Sequence, residues 1–171
     1  MRATDYPYCQ SPFTVLAHRG GAGMAVNKGI ENTLAAFGHA VEVGCTYLET
    51  DVHATSDGVL VAFHDPILDR VTESGGVIAA MPWHKVKQAK VGGEPIPTLD
   101  EIFDAFPEAF INIDIKHDGA TMPLIDVLSR HRAWSRVCVG SFSSKRIQTF
   151  RRLVQGRTAT AVGPVGVGWA V

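Results

Sequence analysis

The stretch Tyr47-Leu48-Glu49-Thr50-Asp51-Val52-His53, followed by the turn Ser56-Asp57-Gly58 and then Val59-Leu60-Val61-Ala62-Phe63, decides the fold. Both apolar runs have strand length and are bounded by turn residues. His64-Asp65-Pro66 stops the second. Upstream, Phe13-Thr14-Val15-Leu16-Ala17 reads as a strand ending in His18-Arg19-Gly20-Gly21. A helix-period segment then covers 32–43, with Leu34, Ala35, Phe37, Ala40 and Val41 apolar, and Gly44 closes it. Downstream, residues 66–97 are irregular and rich in glycine and proline, an excursion rather than a complete unit. Thr98-Leu99-Asp100-Glu101 has the form of a capping box ahead of Ile102, Phe103 and Phe106. A strand at 109–116, a helix at 122–131, a strand at 137–142, a basic helix at 145–154 and a strand at 158–162 follow. Short apolar strands alternating with helices predict a parallel sheet covered by helices, either open and doubly wound or closed as a barrel.

Composition sets the bounds. With 171 residues, 46% apolar, 19% charged and a formal charge of −1, the chain reads as one globular domain rather than a disordered segment or coiled coil. No stretch approaches the roughly 18 apolar residues of a membrane span, and the first residues lack the apolar core of a secretory signal, so a cytoplasmic location is the expectation. Cys9, Cys45 and Cys138 are widely spaced and form no C-x-x-C pair, which predicts reduced thiols. All 17 acidic residues lie before Val127, and eight of the 16 Lys and Arg follow it. Such asymmetry can mark a nucleic-acid or lipid surface. These bases sit on helix-like stretches, however, and read as solvated helix faces, so no nucleic-acid partner is expected.

Charged residues inside apolar strands carry the chemistry, because a buried charge is costly unless it is paired or binds a metal. Glu49 and Asp51 stand at i and i+2, so their carboxylates share one face and repel unless a cation lies between them. Asp114 and Lys116 repeat the spacing in Ile113-Asp114-Ile115-Lys116. Three hard oxygen donors, Glu49, Asp51 and Asp114, suit magnesium or calcium. The competing reading is a set of salt bridges on a strand face. His18 and His64 each close a strand, as a general acid/base pair would. A lone histidine there is often structural. Arg19 offers a planar fork for phosphate, and Lys116 a fixed cation near an anionic substrate. His53 continues the Glu49 and Asp51 face and stays outside the core set.

His18-Arg19-Gly20, Glu31-Asn32-Thr33, Leu48-Glu49-Thr50-Asp51-Val52, Asp57-Gly58-Val59-Leu60-Val61-Ala62-Phe63-His64-Asp65 and Leu68-Asp69-Arg70-Val71-Thr72 closely resemble the glycerophosphodiester phosphodiesterases in order and spacing. Pro97-Thr98-Leu99, Asn112-Ile113-Asp114-Ile115-Lys116 and Gly140-Ser141-Phe142 extend the resemblance over roughly residues 14–142. It implies a TIM-type α/β barrel with a small insertion, residues 66–97, after the third strand. It also implies hydrolysis of glycerophosphodiesters to glycerol 3-phosphate and an alcohol with a divalent cation, Mg2+ or Ca2+. On this resemblance His18 and His64 match the acid/base histidines, and Glu49 and Asp51 the metal ligands. Arg19 matches a phosphate contact, and Glu31 a site-lining acid.

Three departures stand out. Asp114 occupies the place of a glutamate in a Glu-x-Lys pair, one methylene shorter. Ile30 replaces a helix-opening proline. The family's barrel has two further strands, the last bearing a pocket-lining aromatic, and Gly163-Pro164-Val165-Gly166-Val167-Gly168-Trp169-Ala170-Val171 does not resemble them. The expectation is therefore a single partial barrel domain over 1–171, cut short after about six strands, with exposed edges at the first and sixth and an interior open to water. A second copy completing or covering that opening is one expected partner. A catalytically impaired domain, binding divalent cation or glycerol phosphate without turnover, is the alternative to an active enzyme.

Overall fold

The computed structural model describes residues 2–11 and 14–161. Its main strands are β1 (Leu16–Ala17), β2 (Tyr47–Ala54) and β3 (Leu60–Ala62). A small hairpin follows, β4 (Lys90–Val91) and β5 (Glu94–Pro95), and then β6 (Phe110–Ile115), β7 (Val137–Gly140) and β8 (Ala159–Thr160). The helices are α1 (Leu34–Glu42), α2 (Trp83–Val86), α3 (Leu99–Ala105), α4 (Thr121–Arg130) and α5 (Ser144–Val154). Phe13 of the expected first strand, Val162 of the sixth, and Trp169 in the C-terminal stretch lie outside the described residues.

The helix starts follow their caps. Thr33 Oγ1 accepts the Ala36 N–H ahead of α1, and Asn32 has a left-handed φ of 58°, so the helix begins at Leu34 rather than residue 32. The capping box at α3 is formed: Thr98 accepts from Glu101 N and Glu101 accepts from Thr98 N at 2.7 Å. Ser143 Oγ accepts the Arg146 N–H ahead of α5.

Strands β1, β2, β6, β7 and β8 pair in that order, all parallel. β3 departs from the expected parallel arrangement and runs antiparallel to β2, Val52 opposite Ala62 and Ala54 opposite Leu60. The reason is the length of the link: the turn over 55–59, closed by Thr55 N–H to Val59 O at 2.9 Å, makes a hairpin, whereas a parallel return needs a dozen or more residues. Gly58 supplies the positive φ of 82° that this turn requires.

The two sheet faces are different. Leu48, Val52, Ile111, Ile113, Ile115, Val137 and Val139 form one core with Phe37, Leu99, Ile102, Phe103, Leu124, Leu128, Ile147 and Phe150, so α1, α3, α4 and α5 all pack on the same side. A doubly wound sheet would have helices on both. The opposite face carries Tyr47, Glu49, Asp51 and Asp114. Its beginning is not open to water: Tyr8 packs edge-on to Tyr47 and Phe110 at 5.2 and 5.9 Å, and Tyr47 Oη donates to Tyr8 O at 2.9 Å. Tyr47 and Cys138 are buried beneath it.

Residues 66–97 gather a separate apolar cluster of Phe63, Leu68, Ile78, Val86, Val91 and Ile96. The β4–β5 turn presses on the loop before α1. A Cβ on Gly92, at φ 57°, would stand 2.5 Å from Gly29 O. Among the described residues no helix is long and apolar enough to cross a membrane.

Candidate active site

The chain leaves β1 through an unusual turn. Arg19 has a left-handed φ of 49°, and Gly20 and Gly21 follow at 75° and 79°. Such a conformation costs of order 1 kcal/mol at a non-glycine residue and persists only where the surroundings fix it. Three contacts do so here. Arg19 N–H donates to Glu49 Oε2 at 2.8 Å, Arg19 O accepts from Asn32 N at 2.9 Å, and the buried Asn27 amide donates to Gly20 O and Gly21 O. His18 is thereby held over Glu49, its Nε2 4.0 Å from Oε2, with its side chain 67% exposed.

Parallel pairing of β2 with β6 puts Asp51 directly opposite Asp114, with Glu49 two residues earlier on the same face. Lys116 Nζ bridges the two aspartates, 2.9 Å from Asp51 Oδ1 and 2.6 Å from Asp114 Oδ2. Burial pushes the ammonium down, but the hydrogen bonds to Asp114 and Asp51 outweigh it and hold Lys116 above its usual value. Glu49 has no such partner. Burial, with Asp51 beside it, pushes its carboxyl up to about 7 despite the Arg19 N–H. Arg19 Nε lies 3.6 Å from Asp51 Oδ2 and, like Asp114 Oδ1, is buried with no hydrogen-bond partner among the described residues.

His64 sits on a second arm of the site. Its Nδ1 is 2.6 Å from Asp65 Oδ1, and its backbone O lies 3.2 Å from His53 Nε2. Asp65 contacts Arg70, whose guanidinium also meets Glu31, and Glu31 is 3.4 Å from Arg19 NH1. A continuous chain of charge thus runs from His64 through Asp65, Arg70, Glu31 and Arg19 to the carboxylates.

The eight candidate residues therefore fall into one connected constellation: His18, Arg19, Glu49, Asp51, Asp114 and Lys116 at the strand ends, Glu31 and His64 along the arm. Sequence reasoning gave no role to Asn32, whose Nδ2 donates to Asp51 Oδ2 at 3.2 Å and whose Oδ1 accepts from Thr50. It gave none to Asp65 or Arg70 either. The signal was within the quoted motifs, but spacing alone does not show that Arg70 reaches Glu31. His53 is buried and supports the His64 backbone, and burial lowers its pKa.

A divalent cation can be tested against these groups. As placed, no three His, Cys, Asp or Glu side chains among the described residues are gathered closely enough to hold a metal ion, and Lys116 supplies the positive charge between Asp51 and Asp114. The donor chemistry nevertheless fits: three carboxylates on one face, one with a buried oxygen unpaired among the described residues and one driven toward protonation by burial and by Asp51 beside it, suit a hard cation.

Residues 18–160 match the model of the glycerophosphoryl diester phosphodiesterase family. A probable glycerophosphodiester phosphodiesterase 2 of Mycobacterium tuberculosis is 38% identical over 149 residues, covering 86% of this chain and 55% of its own length. A glycerophosphodiester phosphodiesterase of Caldanaerobacter subterraneus subsp. tengcongensis is 32% identical, covering 81% and 62%. The chain thus spans little more than half the length of these relatives. The structure of an Oleispira antarctica phosphodiesterase in complex with the product sn-glycerol-3-phosphate superposes with a TM-score of 0.78 at 28% identity, over 90% of this chain and 66% of that one. The structural neighbours are TIM-type α/β barrels, and the sheet described above corresponds to part of one.

Proposed function

Because this chain belongs to the glycerophosphoryl diester phosphodiesterase family, we propose that it hydrolyses glycerophosphodiesters to glycerol 3-phosphate and an alcohol, with a divalent cation held by Glu49, Asp51 and Asp114. The observation that carries this reading is the convergence of three carboxylates, Lys116 and Arg19 beneath an exposed His18, at the C-terminal ends of β1 and β6 and on β2 between them, the side of the sheet where barrel enzymes build their sites. When bound, Mg2+ or Ca2+ would neutralise phosphate charge and lower the barrier to in-line displacement.

The chain's own residues do the rest. Arg19 and Lys116 attract the phosphate and offset the charge that grows on its oxygens. Their positions are fixed beforehand, Arg19 by its left-handed turn and Lys116 by Asp51 and Asp114. His18 and His64 move protons, one taking a proton from the attacking hydroxyl and the other giving one to the departing alkoxide. Glu31 lines the site between Arg19 and Arg70. The experiment is release of glycerol 3-phosphate from glycerophosphocholine by the 171-residue chain with Mg2+ or Ca2+ and with chelator. Chelator-sensitive release supports the reading. Cation binding without release selects the impaired, binding-only alternative instead.

A further inference from the structure

We infer that Arg70 is a positioning residue that fixes the His64 imidazole through Asp65, so that Nδ1 carries the hydrogen and Nε2 is left free to exchange protons. The inference rests on the proposed phosphodiesterase reading for what His64 does, but not for how His64 is held. Arg70 Nε meets Asp65 Oδ2, and the other Asp65 oxygen lies 2.6 Å from His64 Nδ1. An ionised carboxylate only accepts hydrogen bonds, so a neutral His64 in this pose must donate from Nδ1. Asp65 is kept ionised: burial pushes its carboxyl up, and hydrogen bonds from Arg70 and His64 more than offset this, leaving it below the ordinary value.

Asp65 lies on the loop after β3 and could rotate freely without an external anchor. Arg70 provides one. The far side of its guanidinium is committed to Glu31, with NH2 on Oε1 and NH1 3.3 Å from Oε2. Glu31 belongs to the loop before α1, the same loop against which the β4–β5 turn packs at Gly29. A planar fork can grip both carboxylates at once, which a lysine ammonium cannot do with the same directionality. The geometry of a proton-transferring histidine is thereby set by an arginine six residues downstream and a glutamate 33 residues upstream.

The test is the tautomer of His64, read from long-range 1H–15N spectra of the labelled 171-residue chain, with His64→Gln assigning the signal. The wild type is expected to show His64 protonated at Nδ1 when neutral. Arg70→Gln is expected to shift it toward the Nε2-protonated form, and Arg70→Lys to shift it part of the way. In parallel, Arg70→Gln should lower kcat by about 10–100-fold, the range for losing an orienting partner, with partial recovery in Arg70→Lys. A neutral His64 protonated at Nε2 in the wild type, or a tautomer unmoved by both Arg70 variants, overturns the inference. If Arg70→Gln does not fold, Arg70→Lys decides alone. An inactive wild type that still shows the tautomer change rejects the phosphodiesterase reading and leaves the positioning of His64 by Arg70 standing.

Discussion

Glu49 is the least compensated charge of the site, and its raised pKa has a stability consequence of definite sign. Its proton is held more tightly in the folded chain, with a pKa of about 7, than at the ordinary value of 4.5. Between those values the folded state keeps a proton that the unfolded state has lost, so this contribution is complete below pH 4.5 and disappears as pH rises through 7. At 1.36 kcal/mol per pH unit the ceiling is about 3 kcal/mol. Urea unfolding in chelator from pH 4.5 to 7.5 is expected to show wild type losing stability relative to Glu49→Gln by up to that amount. Parallel pH profiles for the two proteins would mean that Glu49 ionises normally. At this scale the sequence was informative: an i, i+2 pair of acids in an apolar strand implies shared orientation and repulsion. It did not say that Lys116 would lie between Asp51 and Asp114, since an ammonium on a four-carbon stem has many places to go.

Elements were legible where local chemistry defines them. The Thr98 and Glu101 capping box is present as the residues imply, and it starts a helix whose Leu99, Ile102 and Phe103 lie in the core. Thr98→Ala is expected to cost about 1 kcal/mol in urea unfolding, without loss of cooperativity. No change would show that Glu101 alone caps the helix. The direction of β3 escaped a reading based on apolar periodicity, because a run such as Val59–Phe63 looks alike in either orientation. Only the length of the link over 55–59 distinguishes them. The one-sided placement of helices also needed the structure, since alternating strands and helices are common to barrels and doubly wound sheets.

Across the whole molecule the unread features are those made by residues far apart in sequence. Tyr8 covers Tyr47 and Phe110 where water was expected, and Arg70 meets Glu31 across 39 residues. No periodicity encodes either. The charge balance of the assembled site makes a further prediction. Lys116 supplies the positive charge between Asp51 and Asp114, so it competes with any divalent ion there. Lys116→Met is expected to tighten Ca2+ or Mg2+ binding by about tenfold in calorimetric titration, because one opposing charge is removed from a buried site. Weaker binding would place the ion elsewhere. On the proposed function, the face of β2 and β6, with the two histidines, forms a metal-dependent phosphodiesterase site. It is tested most directly by following glycerophosphocholine hydrolysis by 31P NMR with wild type, His18→Ala and His64→Ala. Cation-dependent appearance of glycerol 3-phosphate is expected in wild type, with a loss of about 10²-fold or more in each variant. Turnover that survives both substitutions, or that is indifferent to chelator, would contradict it.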